Sequence, residues 1–186
     1  MMTIADRLLR VLAVVGLLAN LACVAARAAD GQEISVTPIA RDGHVLVSFE
    51  LSDGLSSEVR DTIQSGLSTT FSYEIELRRS TAWFDKTIAS VTVTATVRFD
   101  NLTRRYQMSR TIDGRVEDAR PTEDQDAVRN WMTRFERIPV SSTASLESDG
   151  DYYVRVRAHT RPHNTWFFWP WDRGGLLGHA KFTFIP

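Results

Sequence analysis

Phe71-Ser72-Tyr73-Glu74-Ile75-Glu76-Leu77-Arg78 is the stretch that decides the architecture. Its apolar residues fall at every second position with polar residues between them, the period of a strand that buries one face. Downstream, Val91, Val93, Ala95, Val97 and Phe99 repeat the pattern against Thr92, Thr94, Thr96 and Arg98. Threonines suit an exposed pleated face because β-branching fits extended backbone. Asp100-Asn101 turns the chain into a strand from Arg104 to Ile112, and Asp113-Gly114 turns it back towards Val116, which makes a meander. Upstream, Ile34 to Leu51 reads as a hairpin around Arg41-Asp42-Gly43-His44, since Asp-Gly tolerates the positive φ that both turn positions need. A further hairpin is expected from Ser142 to Arg161 about Asp149-Gly150. Its second strand sets Tyr152, Val154, Val156 and Ala158 against Tyr153, Arg155, Arg157, His159 and Arg161. Pro162 to Gly178 reads as a loop, and Lys181 to Ile185 as the last strand.

Two segments change period. Leu55, Val59, Ile63 and Leu67 recur every fourth residue, with Ser56 or Ser57 placed to cap and Gly66 to stop a short helix. Thr122 and Gln125 form a capping-box pattern, after which Ala127, Val128, Trp131, Met132 and Phe135 share one helical side until Pro139. Such short helices need a sheet to lie on. The fold class that follows is mainly β: an antiparallel β-sandwich or open barrel with two short helices packed on it. No β-α-β alternation of adequate length argues for a parallel sheet.

The first 28 residues read as a secretory signal. Arg7 and Arg10 precede an apolar stretch from Val11 to Ala26 broken by Asn20, and Ala26-Arg27-Ala28 fits an A-x-A cleavage site. The alternative is an uncleaved N-terminal anchor that touches the membrane. Residues 29–186 then form a single β-rich domain, expected in the periplasm or elsewhere outside the cytoplasm. Cys23 is the only cysteine, so cleavage leaves a mature part that folds without disulfides and relies on its core. The whole-chain charge is −1, and the +2 of the leader leaves −3 for the rest. No basic excess points to nucleic acid.

The run Phe49-Glu50-Leu51, then Leu55-Ser56 to Gly66-Leu67, then Phe71 to Arg79, resembles the opening of a bacterial family catalogued as domain of unknown function 4390. Trp83-Phe84-Asp85, the Tyr106 strand and Tyr153-Val154-Arg155-Val156 continue the likeness. The resemblance implies a bacterial envelope protein with a signal or N-terminal anchor. It carries no catalytic or binding residues over to this chain.

Reactive chemistry is sparse in the sequence. His159 and His163 are separated by Arg161-Pro162, His44 lies in a turn and His179 starts the last strand, so no metal is expected. No serine sits in a nucleophile elbow, and no cofactor is expected. Glu74 and Glu76 protrude together, but arginines on the same face are their natural partners. If the strands bearing Glu74, Glu76 and Arg78 and bearing Arg155, Arg157, His159 and Arg161 adjoin, they form a charge ladder. If they are apart, Arg155 and Arg157 offer an anion or partner site.

The other candidate binding feature is Trp166-Phe167-Phe168-Trp169-Pro170-Trp171. Trp166, Phe167, Phe168, Trp169 and Trp171 either plug an open end of the sandwich or form a contact patch for a partner, a carbohydrate or the membrane interface. The preferred reading is a non-enzymatic interaction module that contacts an envelope protein. A ligand- or carbohydrate-binding domain using the Trp-rich loop is the alternative, and a hydrolase with a diffuse site the third.

Overall fold

The computed structural model describes residues 33–81, 84–162 and 176–185, with backbone alone for 160–162. The strands are β1 (Ile34–Arg41), β2 (His44–Leu51), β3 (Thr69–Arg79), β4 (Lys86–Asp100), β5 (Arg105–Ile112), β6 (Arg115–Thr122), β7 (Arg134–Ser142), β8 (Asp151–Pro162) and β9 (Leu176–Thr183). Helix α1 spans Ser57–Gln64 and α2 spans Gln125–Thr133. All pairings are antiparallel, in a large sheet of six strands ordered β6-β5-β4-β3-β8-β9 and a small one of three ordered β1-β2-β7. The sheets face each other and do not close into a barrel, so the sandwich is the form the sequence adopts.

Alternation dictates the core. Phe71, Tyr73, Ile75 and Leu77 of β3 turn inward beside Val91, Val93, Ala95 and Val97 of β4 and Tyr152, Val154 and Val156 of β8. The small sheet answers with Val45, Val47, Phe49 and Leu51 of β2 and with Phe135, Ile138 and Val140 of β7. At the centre Phe49 stacks on Phe135 at 4.7 Å, and the Tyr73 ring lies 5.0 Å from each. Aromatic contacts of this kind add about 0.5–1.5 kcal/mol beyond the area they bury.

Local signals place most of the turns. Asp42 and Gly43 take φ of 51° and 77°, and Asp113 and Gly114 take 48° and 78°, the left-handed pairs that two-residue hairpins require. Ser56 caps α1 by accepting from the Val59 amide, while Val59 and Ile63 are buried and Gly66, at φ 88°, ends the turn. Leu67 lies beyond the helix and is exposed.

Four expectations are corrected. Helix α2 starts two residues later than the capping-box reading implies, with Asp124 accepting from the Asp126 amide while the Thr122 hydroxyl accepts from the Asp124 amide. It ends at Thr133, not near Pro139: Phe135 lies in β7, paired with Phe49, and Pro139 lies inside that strand opposite Leu46. Asp149-Gly150 does not close a hairpin, because β7 belongs to the small sheet and β8 to the large one. Residues 143–150 instead cross between sheets through a 3-10 turn at Thr143–Ser145, and Asp149 uses its φ of 59° to bend that corner. The last strand begins at Leu176, so Gly178 and His179 are strand residues. Gly178 sits in β9 because β1 passes against it: a β-carbon there would lie 2.8 Å from that of Ile34 and closer still to the Ile34 carbonyl oxygen. Nothing larger than glycine fits that crossing.

Candidate functional site

The outer face of the large sheet gathers the charged side chains. In β3, residues with even numbers must face away from the core once Phe71 to Leu77 face into it. β8 is its antiparallel neighbour, in a register that sets Ser72 opposite His159, Glu74 opposite Arg157, Glu76 opposite Arg155 and Arg78 opposite Tyr153. The two stripes therefore adjoin, and the ladder is the arrangement that forms.

Glu76 is its hub. One carboxylate oxygen accepts from Arg155 through Nε at 2.7 Å and through Nη2, and from Arg78 Nη1 at 3.4 Å. Glu74 meets Arg157 at 3.4 Å. The side chains of Glu76 and Arg155 are 15% and 27% exposed, against 38% and 33% for Glu74 and Arg157, so the inner rung is the less screened. Above it the Arg78 guanidinium lies 5.9 Å from the centre of the Tyr153 ring and reaches the Asp85 carbonyl. Tyr153 donates its hydroxyl proton to the Asp85 carboxylate at 2.7 Å, and that hydrogen bond raises the Tyr153 pKa. The Arg78 Nε is buried without a hydrogen-bond partner.

Hydroxyls continue the face across β4 and β5. Thr70 pairs with Thr96 at 2.9 Å, and Thr94 with Thr111. On the other side β9 adds Leu177 opposite Arg157, His179 opposite Arg155 and Lys181 opposite Tyr153. On β3, β4, β8 and β9 the described outward cations Arg78, Arg98, Arg155, Arg157 and Lys181 are set among the carboxylates Glu74, Glu76, Asp100 and Asp151. The outer face is thus of mixed charge and hydroxylated.

Arg155 and Arg157 thus lie side by side on β8, each paired with a glutamate and partly open to solvent. With guanidinium groups against them, Glu74 and Glu76 act as hydrogen-bond acceptors on the surface of a sheet. Trp166, Phe167, Phe168, Trp169 and Trp171 lie outside the described residues, as do Trp83 and His163. What is placed is their attachment: residues 163–175 join Pro162, opposite Thr69 at one end of β3, to Leu176, opposite Ala158. His44 turns its ring towards the Asp42 carbonyl, and among the described residues no cluster of three or more potential metal ligands forms. Between the two helices Leu55, Ile63, Tyr106 and Val128 border a cleft of about 30 Å³, room for a single water. Among the described residues no helix is long and apolar enough to cross a membrane.

Sequence reasoning overlooks the polar pins beneath the face. Tyr73, buried at the centre, donates its hydroxyl to the Met132 carbonyl at 2.7 Å, and burial pushes its pKa far up. Arg110 of β5 donates to the carbonyls of Trp131 at 2.6 Å, Arg134 at 2.7 Å and Asn130 at 3.2 Å. Its guanidinium lies 4.4 Å from the Trp131 ring and 4.3 Å from the Phe135 ring, and burial brings its pKa down to about 10, leaving it charged at neutral pH. The break in polarity at Arg110, on the inward side after Tyr106 and Met108, is the one trace of this in the sequence.

Fold and face together define an antiparallel two-sheet β protein with a charged outer surface. The chain belongs to the family described as Domain of unknown function (DUF4390), whose model matches residues 28–163. The match takes in β1 to β8 and ends before the aromatic run. Neither a curated protein nor a solved structure matches this chain.

Proposed function

We propose that this protein is an exported domain of the bacterial envelope that works by contact with another protein. The observation that carries the reading is the outer face of the large sheet, where the Glu76–Arg155 and Glu74–Arg157 rungs hold polar groups in fixed positions on a flat surface. Complementary charge on a partner is recognised by such a pattern, and a partner with the opposite order of signs is repelled. The signal-like segment before residue 29 supports the envelope location, and the run from Trp166 to Trp171 supplies the aromatic anchors that protein contacts favour.

Residues 33 and 176 are where the described chain resumes after the leader and after the aromatic run. Ile34 packs on Gly178, and Leu176 lies two residues earlier in β9, so both attachments fall within about 10 Å of each other by strand rise.

The test has two parts. Fractionation of cells expressing the full chain should find it outside the cytoplasm; a cytosolic product sinks the export reading. Replacing Trp166, Trp169 and Trp171 with alanine should abolish co-purification of an envelope partner while far-ultraviolet circular dichroism stays unchanged. Extracts that yield no partner for the wild type remove the support for contact.

A further inference from the structure

The outer face of the small sheet is built differently. Its cross-strand rows run from Ser35, Glu50 and Arg134, through Thr37 and Ser48, to Ile39, Leu46 and Pro139. Between Val47 and Phe49 the β2–β7 register shifts, so the single residue Ser48 faces both Glu136 and Arg137. This is a β-bulge, and bulges re-aim side chains. The shift opens a shallow concavity of about 330 Å³, at the lower end of ligand-site volumes. Phe49 and Phe135, stacked beneath, give it a rigid floor.

Arg137 holds the bulge at φ 53°, and its amide donates to Ser48 Oγ at 3.0 Å. Among the described residues the other non-glycine left-handed positions are Asp42, Asp53, Asp113, Asp149 and Arg104, which lie in turns or bends between elements. Aspartate tolerates that region; an arginine inside a strand is strained, and glycine would hold the same bulge freely. Strain maintained at a pocket wall points to a task for the side chain. The guanidinium of Arg137 has no acceptor among the described residues, whereas Arg134 beside it pairs with Glu136 at 3.4 Å.

We propose that this concavity binds a small sugar acid, with Arg137 taking the carboxylate and Ser35, Thr37, Ser48 and Glu50 meeting the hydroxyls. An unpaired guanidinium selects a planar carboxylate by two parallel hydrogen bonds. The hydroxyl row, which can donate and accept, suits a polyol, and the carboxylate of Glu50 accepts from one. The exposed walls and the balance of Arg134 and Arg137 against Glu50 and Glu136 make the binding weak, with a dissociation constant on the order of 1 mM. The inference is independent of the proposed protein contact, which uses the other sheet.

Calorimetric titration of the purified full-length chain with glucuronate, glucose and inorganic phosphate tests it. Glucuronate should bind saturably, and glucose and phosphate about tenfold more weakly or worse. Arg137→Gly should lose glucuronate binding while its thermal midpoint stays level or rises, because the strain is gone. Arg137→Lys should keep part of the affinity. Absence of saturable heat with glucuronate overturns the proposal. So does equal binding of glucose or phosphate, or wild-type affinity in Arg137→Gly.

Discussion

Two side chains from the large sheet finish what α2 leaves open. The last carbonyls of a helix have no partner within it, and here Tyr73 takes that of Met132 while Arg110 takes those of Asn130 and Trp131, and that of Arg134 just past the helix end. Tyr73→Phe keeps the ring and strands the Met132 carbonyl, so we expect a loss of about 1–2 kcal/mol in urea unfolding. Arg110→Lys keeps the charge but not the planar group between two rings, and should cost about 2 kcal/mol in the same assay. Acid sensitivity resides in other groups. The Asp100 carboxylate accepts from the amides of Leu102 and Thr103, which lowers its pKa. A carboxylate depressed in the folded state stabilises fully above its unfolded pKa, near 4, and that contribution disappears as pH falls through the lower folded value. Asp100→Asn should therefore flatten the decline of the urea midpoint below about pH 4, and an unchanged slope would remove Asp100 from the account. Asp42, Asp113 and the Ser56 cap are legible because their signals are local, whereas the targets of Tyr73 and Arg110 lie 59 and 20 or more residues away along the chain.

Strands show the same division between near and far. The alternation of β3 and β8 is plain in the sequence, but their adjacency joins residues 79 positions apart at Glu76 and Arg155. The start of β7 looks helical in the sequence for a physical reason. Trp131, Met132 and Phe135 satisfy a helical stripe locally, and only the pairing of Phe135 with Phe49 pulls the chain into extended form. Of the candidate site, the charged stripes were legible and their meeting was not; the bulge at Arg137 left no local mark because that residue was assigned to a helix. The ladder itself is measurable. A double-mutant cycle on Glu76 and Arg155 should give a coupling of about 1 kcal/mol, and one on Glu74 and Arg157 about half that, with the outer pair weakening more in high salt. Equal couplings would mean that burial does not distinguish the rungs.

At the scale of the molecule, the two sheets meet where β1 crosses β9. Gly178→Ala forces a β-carbon into the Ile34 backbone, so we expect a loss of about 1–3 kcal/mol on thermal or urea unfolding. That crossing also has a temporal meaning. β1 is the first strand described, β9 the last, and β8 must add beside β3 before β9 can complete that edge of the large sheet. A ribosome will therefore have released nearly the whole polypeptide before the sandwich can shut, and contacts so distant along the chain condense in milliseconds to seconds, not microseconds. Stopped-flow refolding should show that slowness. Under the export proposed above, late closure would leave the polypeptide unfolded enough to thread a translocation pore.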